Sequence, residues 1–432
     1  MMSSRTSEKG FYGWVNVTVA SIMGIIGGFY LVSFGYLLPF LVGDFGWNRG
    51  TVSLAATINM IAMGLSGPLA GIFIVKYGAK RSIVCGNLLG CAGFLIIFLH
   101  TRLWELFLGY GLLIGLAVGF GGMLASTTVI NNWFVKKRGM ALSIFLGAGG
   151  AAGMVMGPAI MEVIKRAGWR ITVLAIAVLV LLFSVVLPAI FIRNKPQDLG
   201  QIPDGPGNGG TTSKSAPLTH KAVYRTPVDF TAAEAMRTRG FWLLIAYFCL
   251  SMLAMGALMT HQVAYLLDIG IVATVAAFAL SVMSAMMTLS QFSVGWIGKR
   301  YSMHTIAIGG EVLKILGLGI LVLTDSLVFV LVYMIVLGLG FGAAMAATMN
   351  IFPNYFGITN YPKIMGTARL FWAFVGGAGA PLAGYFRETT GSYLPPFRVA
   401  IVVVAAGLLC LIFARVPVHP SLKEESAAAR AA

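Results

Sequence analysis

The chain has 432 residues, of which 58% are hydrophobic and 10% charged, with a mean hydropathy of +0.88. A soluble globular chain carries about 25% charged residues, so this composition excludes a water-soluble enzyme, a disordered regulator and a fibrous protein. The formal charge of +16 would suit nucleic acid on a soluble protein, but here Lys and Arg sit in short connectors between apolar blocks, so no nucleic-acid partner is expected.

After the short tail MMSSRTSEKG, six apolar blocks are expected as spans at 12–38, 50–75, 82–99, 103–130, 139–163 and 170–192. Most exceed the roughly 20 residues needed to cross a bilayer. The first has no small-residue cleavage site and reads as an uncleaved span. Residues 193–239 are rich in proline, glycine, serine and charge. Their first part is expected to be disordered, and the stretch from Asp229 to Arg239 to form a short surface helix. Six further spans are expected at 240–266, 271–297, 304–323, 328–352, 364–387 and 395–416, followed by a tail, 417–432. Barrel strands would alternate apolar and polar residues, and these blocks do not. The predicted fold is therefore an all-α integral membrane protein. Its twelve transmembrane helices form two six-helix bundles, 1–192 and 240–416, joined by the linker 193–239.

With the N-terminus placed in the cytoplasm, 21 Lys and Arg fall on that face and 7 on the other, while Lys314 and Arg369 lie within spans. That asymmetry predicts a multi-pass protein of the inner membrane with both termini and the linker cytoplasmic. Cys85, Cys91, Cys249 and Cys410 all lie in apolar blocks and read as reduced, buried thiols. The halves repeat. Leu116 to Thr127, closing span 4, reads like Leu337 to Thr348 in span 10, and spans 2 and 8 both end in a glycine before a short basic loop. Parallel six-span repeats predict an axis along the membrane normal.

Several local motifs accompany the repeat. Tyr12-Gly13-Trp14 opens span 1, and Phe45-Gly46-Trp47 with Arg49 follows it. Gly67-Pro68-Leu69-Ala70-Gly71 lies in span 2, Trp133-Phe134 with Lys137-Arg138-Gly139 before span 5, and Phe241-Trp242 opens span 7, which closes on His261 to Gly270. On these residues nearly the whole chain resembles the major facilitator superfamily, and within it the monocarboxylate-porter and oxalate/formate-antiporter-like group. The sequence departs from the group at three places. Val75 and Lys76 replace the usual Asp-Arg of the loop after span 2. The resembled group's carboxylate-binding arginine corresponds to Gln291, and its span-11 lysine to Val375.

No GxSxG, phosphate loop, paired carboxylates or HExxH occurs, so no enzymatic activity, cofactor or metal site is expected. Ionisable groups inside a bilayer are costly and are therefore functional candidates. His261 in span 7 offers either hydrogen bonding and proton coupling or a structural bond to a neighbouring helix. Arg369 in span 11 either pairs with an anion or snorkels to the interface. Glu311 and Lys314, three apart on one face of span 9, read as a self-satisfied pair. The resemblance implies that spans 1, 4, 7 and 10 line a central cavity. It makes Tyr30, Ser33, Tyr36, Met123, Ser126, Thr127, Met255, Met259, Met345, Thr348 and Asn350 substrate-binding candidates beside His261 and Gln291. The glycine runs of spans 5 and 11 imply a rocking interface at Gly153, Gly157, Pro158, Gly379 and Pro381.

The expected activity is secondary active transport of a small organic solute by a monomer working through alternating access. A monocarboxylate is the first expectation, with protons or a counter-anion as the coupled species. A transporter or exporter of a neutral or amphipathic molecule is the alternative, favoured by the missing arginine and lysine. A non-transporting sensor is the remaining class.

Overall fold

The computed structural model describes residues 11–205, 226–323 and 326–422; the side chains of 49, 50, 152–155, 158, 273, 274 and 277 lie outside the description. The chain folds into the twelve expected spans. Spans 1 to 4 are Gly13–Phe45, Arg49–Tyr77, Ala79–Leu99 and Leu103–Trp133. Span 4 contains a π-helical stretch, Phe107–Ile114, and breaks at Gly122 (φ −90°, ψ −139°), where a Cβ would collide with the Val118 carbonyl. Spans 5 and 6 follow within Arg138–Val180, separated at Gly168, whose φ of 81° favours glycine. Span 6 continues through Leu181–Val186 and Leu187–Phe191.

The second half comprises span 7 (Arg239–Asp268), span 8 (Ala273–Ile297), span 9 (Met303–Leu323), span 10 (Leu327–Phe356), span 11 and span 12 (Leu394–Phe413). Span 11 is two helices, Tyr361–Gly377 and Gly379–Thr390, divided at Ala378. Ten helices among the described residues are long and apolar enough to cross a membrane. The other two are span 11, which is divided into helices of 17 and 12 residues, and span 5, which contains residues 152–155 and 158 outside the description.

The linker corrects one expectation. Residues 193–205 are not disordered but pinned to the first half. Asp204 accepts from the backbone N–H groups of Val135, Lys136 and Lys137 at 3.1, 2.6 and 3.2 Å, and Trp133 Nε1 donates to Arg193 O at 2.8 Å. Three amides on one carboxylate hold a segment that composition alone marks as free. Residues 206–225 lie outside the described residues. Past them, Phe230 N donates to Phe356 O at 3.0 Å, and the expected short helix forms at Ala232–Met236. A reciprocal cap between Thr231 and Glu234 starts it.

The halves meet along two glycine seams rather than between spans 5 and 11. Span 2 packs on the first part of span 11, and span 5 on span 8. A Cβ on Gly67 would sit 2.7 Å from Gly366 O, and one on Gly64 would sit 2.9 Å from Ala373 Cβ. Across the other seam, a Cβ on Gly295 would lie 2.9 Å from Met140 Cα, and one on Gly147 would lie 2.6 Å from the Phe292 ring. The reason is the repeat itself. A two-fold axis relates span 5 to span 11 and span 2 to span 8, so a 2–11 contact generates a 5–8 contact. Both seams lie towards the side where the linker runs. There Thr127 Oγ1 and Tyr361 Oη lie 3.2 Å apart, and Arg138 donates to Asn354 Oδ1.

Of the predicted interface residues, Gly157, Gly379 and Pro381 fall away from these seams. A Cβ on Gly157 would strike Tyr36 Oη, within its own half. Gly379 is buried against Leu253 and Ala257 of span 7, and Pro381 is exposed. The side chain of Pro158 and the residue Gly153 lie outside what is described.

Candidate functional site

Between the halves lies a cavity of about 550 Å³, with an adjoining recess of about 330 Å³. Spans 1 to 5 and 7 to 11 contribute to the wall. Methionines dominate it: Met63, Met123, Met252, Met255 and Met345 border both spaces, joined by Met259 in the recess. Such side chains fill irregular volume and adapt to apolar ligands. Phe145, Phe248 and Phe341 add aromatic surface.

The polar wall is sparse. Tyr30 Oη donates to Asn87 Oδ1 at 3.0 Å, and Asn87 Nδ2 donates to Ile83 O and Gly121 O at 2.8 and 3.2 Å. Ser126 and Gln291 border the cavity as expected. Gln291 is buried and its Oε1 has no hydrogen-bond partner. Arg369 borders both spaces. It does not snorkel: it enters span 11 between Gly366 and Ala373, whose contacts with span 2 hold its stem inward. Its Nη1 has no hydrogen-bond partner, and neither has Trp372 Nε1 one turn further on. Two N–H donors without acceptors, at the edge of a cavity, are the recognition chemistry of an oxyanion.

The remaining cavity charge is Lys314. Its Nζ lies 2.5 Å from Glu311 Oε1, with both side chains fully buried. Ser251 Oγ is 2.5 Å from the same Nζ. Lys314 and Glu311 pair as expected, but the pair is not closed on itself: Glu311 Oε2 is buried without a hydrogen-bond partner, and Lys314 borders the cavity. Close packing of Gly310 and Gly340 brings spans 9 and 10 together here and carries span 9 inward.

Other candidates lie off the cavity. Thr127 accepts or donates across to Tyr361 and bonds Met123 O at 2.8 Å. Thr348 pairs with Tyr247 Oη at 3.0 Å and Ala344 O at 2.6 Å, and Asn350 Nδ2 donates to Ala346 O at 2.9 Å. These polar side chains satisfy helix backbone in place of substrate. Ser33 is buried without a partner outside the cavity wall, and Tyr36 packs by Gly157. His261 Nε2 lies 2.9 Å from Ala380 O, its ring 5.3 Å from that of Tyr393. His261 is not among the residues that line either space. Among the described polar residues of the cavity wall, Asn87, Tyr247 and Ser251 were not selected from the sequence, and Lys314 was read only as the partner of Glu311. Among the described residues, no group of three or more His, Cys, Asp or Glu could hold a metal ion.

The profile of the Major Facilitator Superfamily matches residues 18–328 and 264–432. The chain belongs to that superfamily. As a transporter of this superfamily it is similar along most of its length to monocarboxylate transporters. Monocarboxylate transporter 13 of Rattus norvegicus is 27% identical, over 95% of this chain and 91% of its own length. Monocarboxylate transporter 13 of Bos taurus is 26% identical, over 93% and 89%. Monocarboxylate transporter 2 of Homo sapiens is 23% identical, over 93% and 85%. Among solved structures, the superfamily transporter FucP in the outward conformation matches with a TM-score of 0.69 and 14% identity. The match covers 94% of this chain and 99% of that one, and it supports the fold.

Proposed function

We propose that this transporter is a secondary active carrier of small organic monoanions, a monocarboxylate first among them, working by alternating access as a monomer. The observation that carries the reading is the unpaired Arg369 Nη1, beside the equally unpaired Trp372 Nε1, at the edge of the central cavity. A carboxylate satisfies both donors, and its organic body meets the methionine wall. The role that the resemblance gives to Gln291 and Val375 passes to Arg369. The names of the monocarboxylate transporters support the same substrate class. The seams close the linker side, which is the cytoplasmic side on the 21 to 7 basic asymmetry. We place the protein in the inner membrane with cytoplasmic termini, and protons or a counter-anion as the coupled species.

The apolar wall favours a second reading, a neutral or amphipathic substrate. Binding of a carboxylate and of its amide to the purified protein separates the two. Loss of a hydrogen bond to a charged group costs about 1.5–3 kcal/mol, or roughly 10- to 150-fold. Arg369→Gln is expected to weaken the acid by that factor and leave the amide unchanged. Equal affinity for acid and amide in the wild type would overturn the monoanion reading and leave the second one standing.

A further inference from the structure

The two cations of the cavity wall differ in how they are compensated. Arg369 has an unpaired Nη1. Lys314 is neutralised by Glu311, and its Nζ is further held by Ser251 and lies 4.9 Å from the Phe341 ring. Lys314 borders the cavity, whereas Glu311 stands behind it, off the wall. Such a fully buried ion pair is a poor source of stability, because desolvation of both charges offsets their attraction. An apolar pair would serve packing equally well. What Glu311 does change is the number of uncompensated charges that the cavity offers.

We propose that Glu311 determines specificity by charge count: it cancels Lys314, leaves Arg369 as the single free cation among the described residues of the cavity wall, and so admits monoanions and rejects dianions. The inference rests on the reading of Arg369 as the anion site. A dicarboxylate that places one end on Arg369 must leave its second carboxylate in an apolar cavity. There it finds an ammonium already bonded and the negative charge of Glu311 behind it. A buried carboxylate without a partner is strongly disfavoured. With Glu311 made neutral, Lys314 loses its counter-ion, and the second carboxylate of a dianion supplies the missing negative charge and holds the ammonium protonated.

The test uses the purified full-length protein at neutral pH, with glutarate and adipate as dianions and their monomethyl esters as monoanions of similar length. Affinities are read by ligand-induced thermal shift and calorimetry. The wild type is expected to prefer each half-ester by about tenfold or more, the scale of one charge-assisted bond. Glu311→Gln is expected to reverse that preference, and Glu311→Gln with Lys314→Gln to restore it. Equal wild-type affinity for diacid and half-ester overturns the proposal, as does a folded Glu311→Gln protein with an unmoved ratio. If Glu311→Gln does not fold, the double variant decides, because it buries no unpaired charge: a preference for the diacid there overturns the proposal. Arg369→Gln separates the two levels. Half-ester binding that survives Arg369→Gln, or a wild type that binds neither acid, overturns the anion site itself. Half-ester binding lost in Arg369→Gln with a ratio indifferent to Glu311 overturns the charge count alone.

Discussion

The seam between spans 2 and 11 makes a strong mechanical prediction at Gly67. A methyl group there would lie 2.7 Å from Gly366 O and 3.4 Å from Arg369 Cβ. The first obstacle is backbone and cannot rotate away. Carbon–oxygen contacts settle near 3.3 Å or more, so the spans must part by about 0.6 Å. Overpacking of this kind costs about 1–3 kcal/mol. Because the contact exists only while the linker side is closed, the cost falls on that state, and its population relative to the opened state should drop about 5- to 150-fold. The reporter is a single cysteine at Thr127, buried beside Tyr361 across the halves, in a background without the native cysteines. Gly67→Ala should raise its labelling by a membrane-permeant thiol reagent and lower transport. The control is Gly309→Ala on span 9, where a Cβ meets nothing within 4 Å. If Gly67→Ala labels and transports like that control, the seam is not a working contact and the reasoning fails.

Two further predictions concern the ends of the spans. His100, between spans 3 and 4, is buried among Phe45, Trp47 and Trp169. Burial holds its pKa below the ordinary value, aided by Arg170 and opposed by the Ile97 carbonyl and Glu105. The unfolded chain then takes up the proton first, so the stabilisation is full above the unfolded value of about 6.5 and is lost as pH falls below it. The thermal midpoint of the wild type should drop more steeply between pH 7 and 5 than that of His100→Phe, and parallel curves would refute the assignment. Single cysteines at positions 207 and 102 should label from opposite faces of the membrane, and labelling of both from outside whole cells would overturn the topology.

The spans were legible because twenty apolar residues in a row admit few other structures, and the repeat was legible because glycine-rich text recurs at matched positions. Which spans touch was not legible. The glycines of spans 5 and 11 look alike because they are two-fold equivalents, and each serves a different partner. Polar residues were harder still. Ser126 and Gln291 reach the cavity, but Thr127, next to Ser126, and Thr348 and Asn350 on span 10 turn to backbone carbonyls instead. A sequence shows that a hydroxyl is present but not which acceptor it has taken. Lys314 was legible as the partner of Glu311 but not as a cavity residue, because its place along span 9 gives no hint that Gly310 and Gly340 draw that span inward.

The placement of the two cations ties binding to motion. Arg369 lies in span 11 between Gly366 and Ala373, the residues that meet Gly67 and Gly64 of the other half. When the halves rock, this stretch must slide or part, so the surroundings of Arg369 change with the state of the transporter. Lys314 and Glu311 belong to span 9, which packs on spans 10 and 12 of its own half, and their ion pair rides with that body unchanged. A ligand can drive a conformational equilibrium only through contacts that differ between states. A carboxylate on Arg369 makes such contacts; one on Lys314 would not. The cation at the seam therefore suits the substrate, and the neutralised cation inside the second half suits the role of a fixed charge filter.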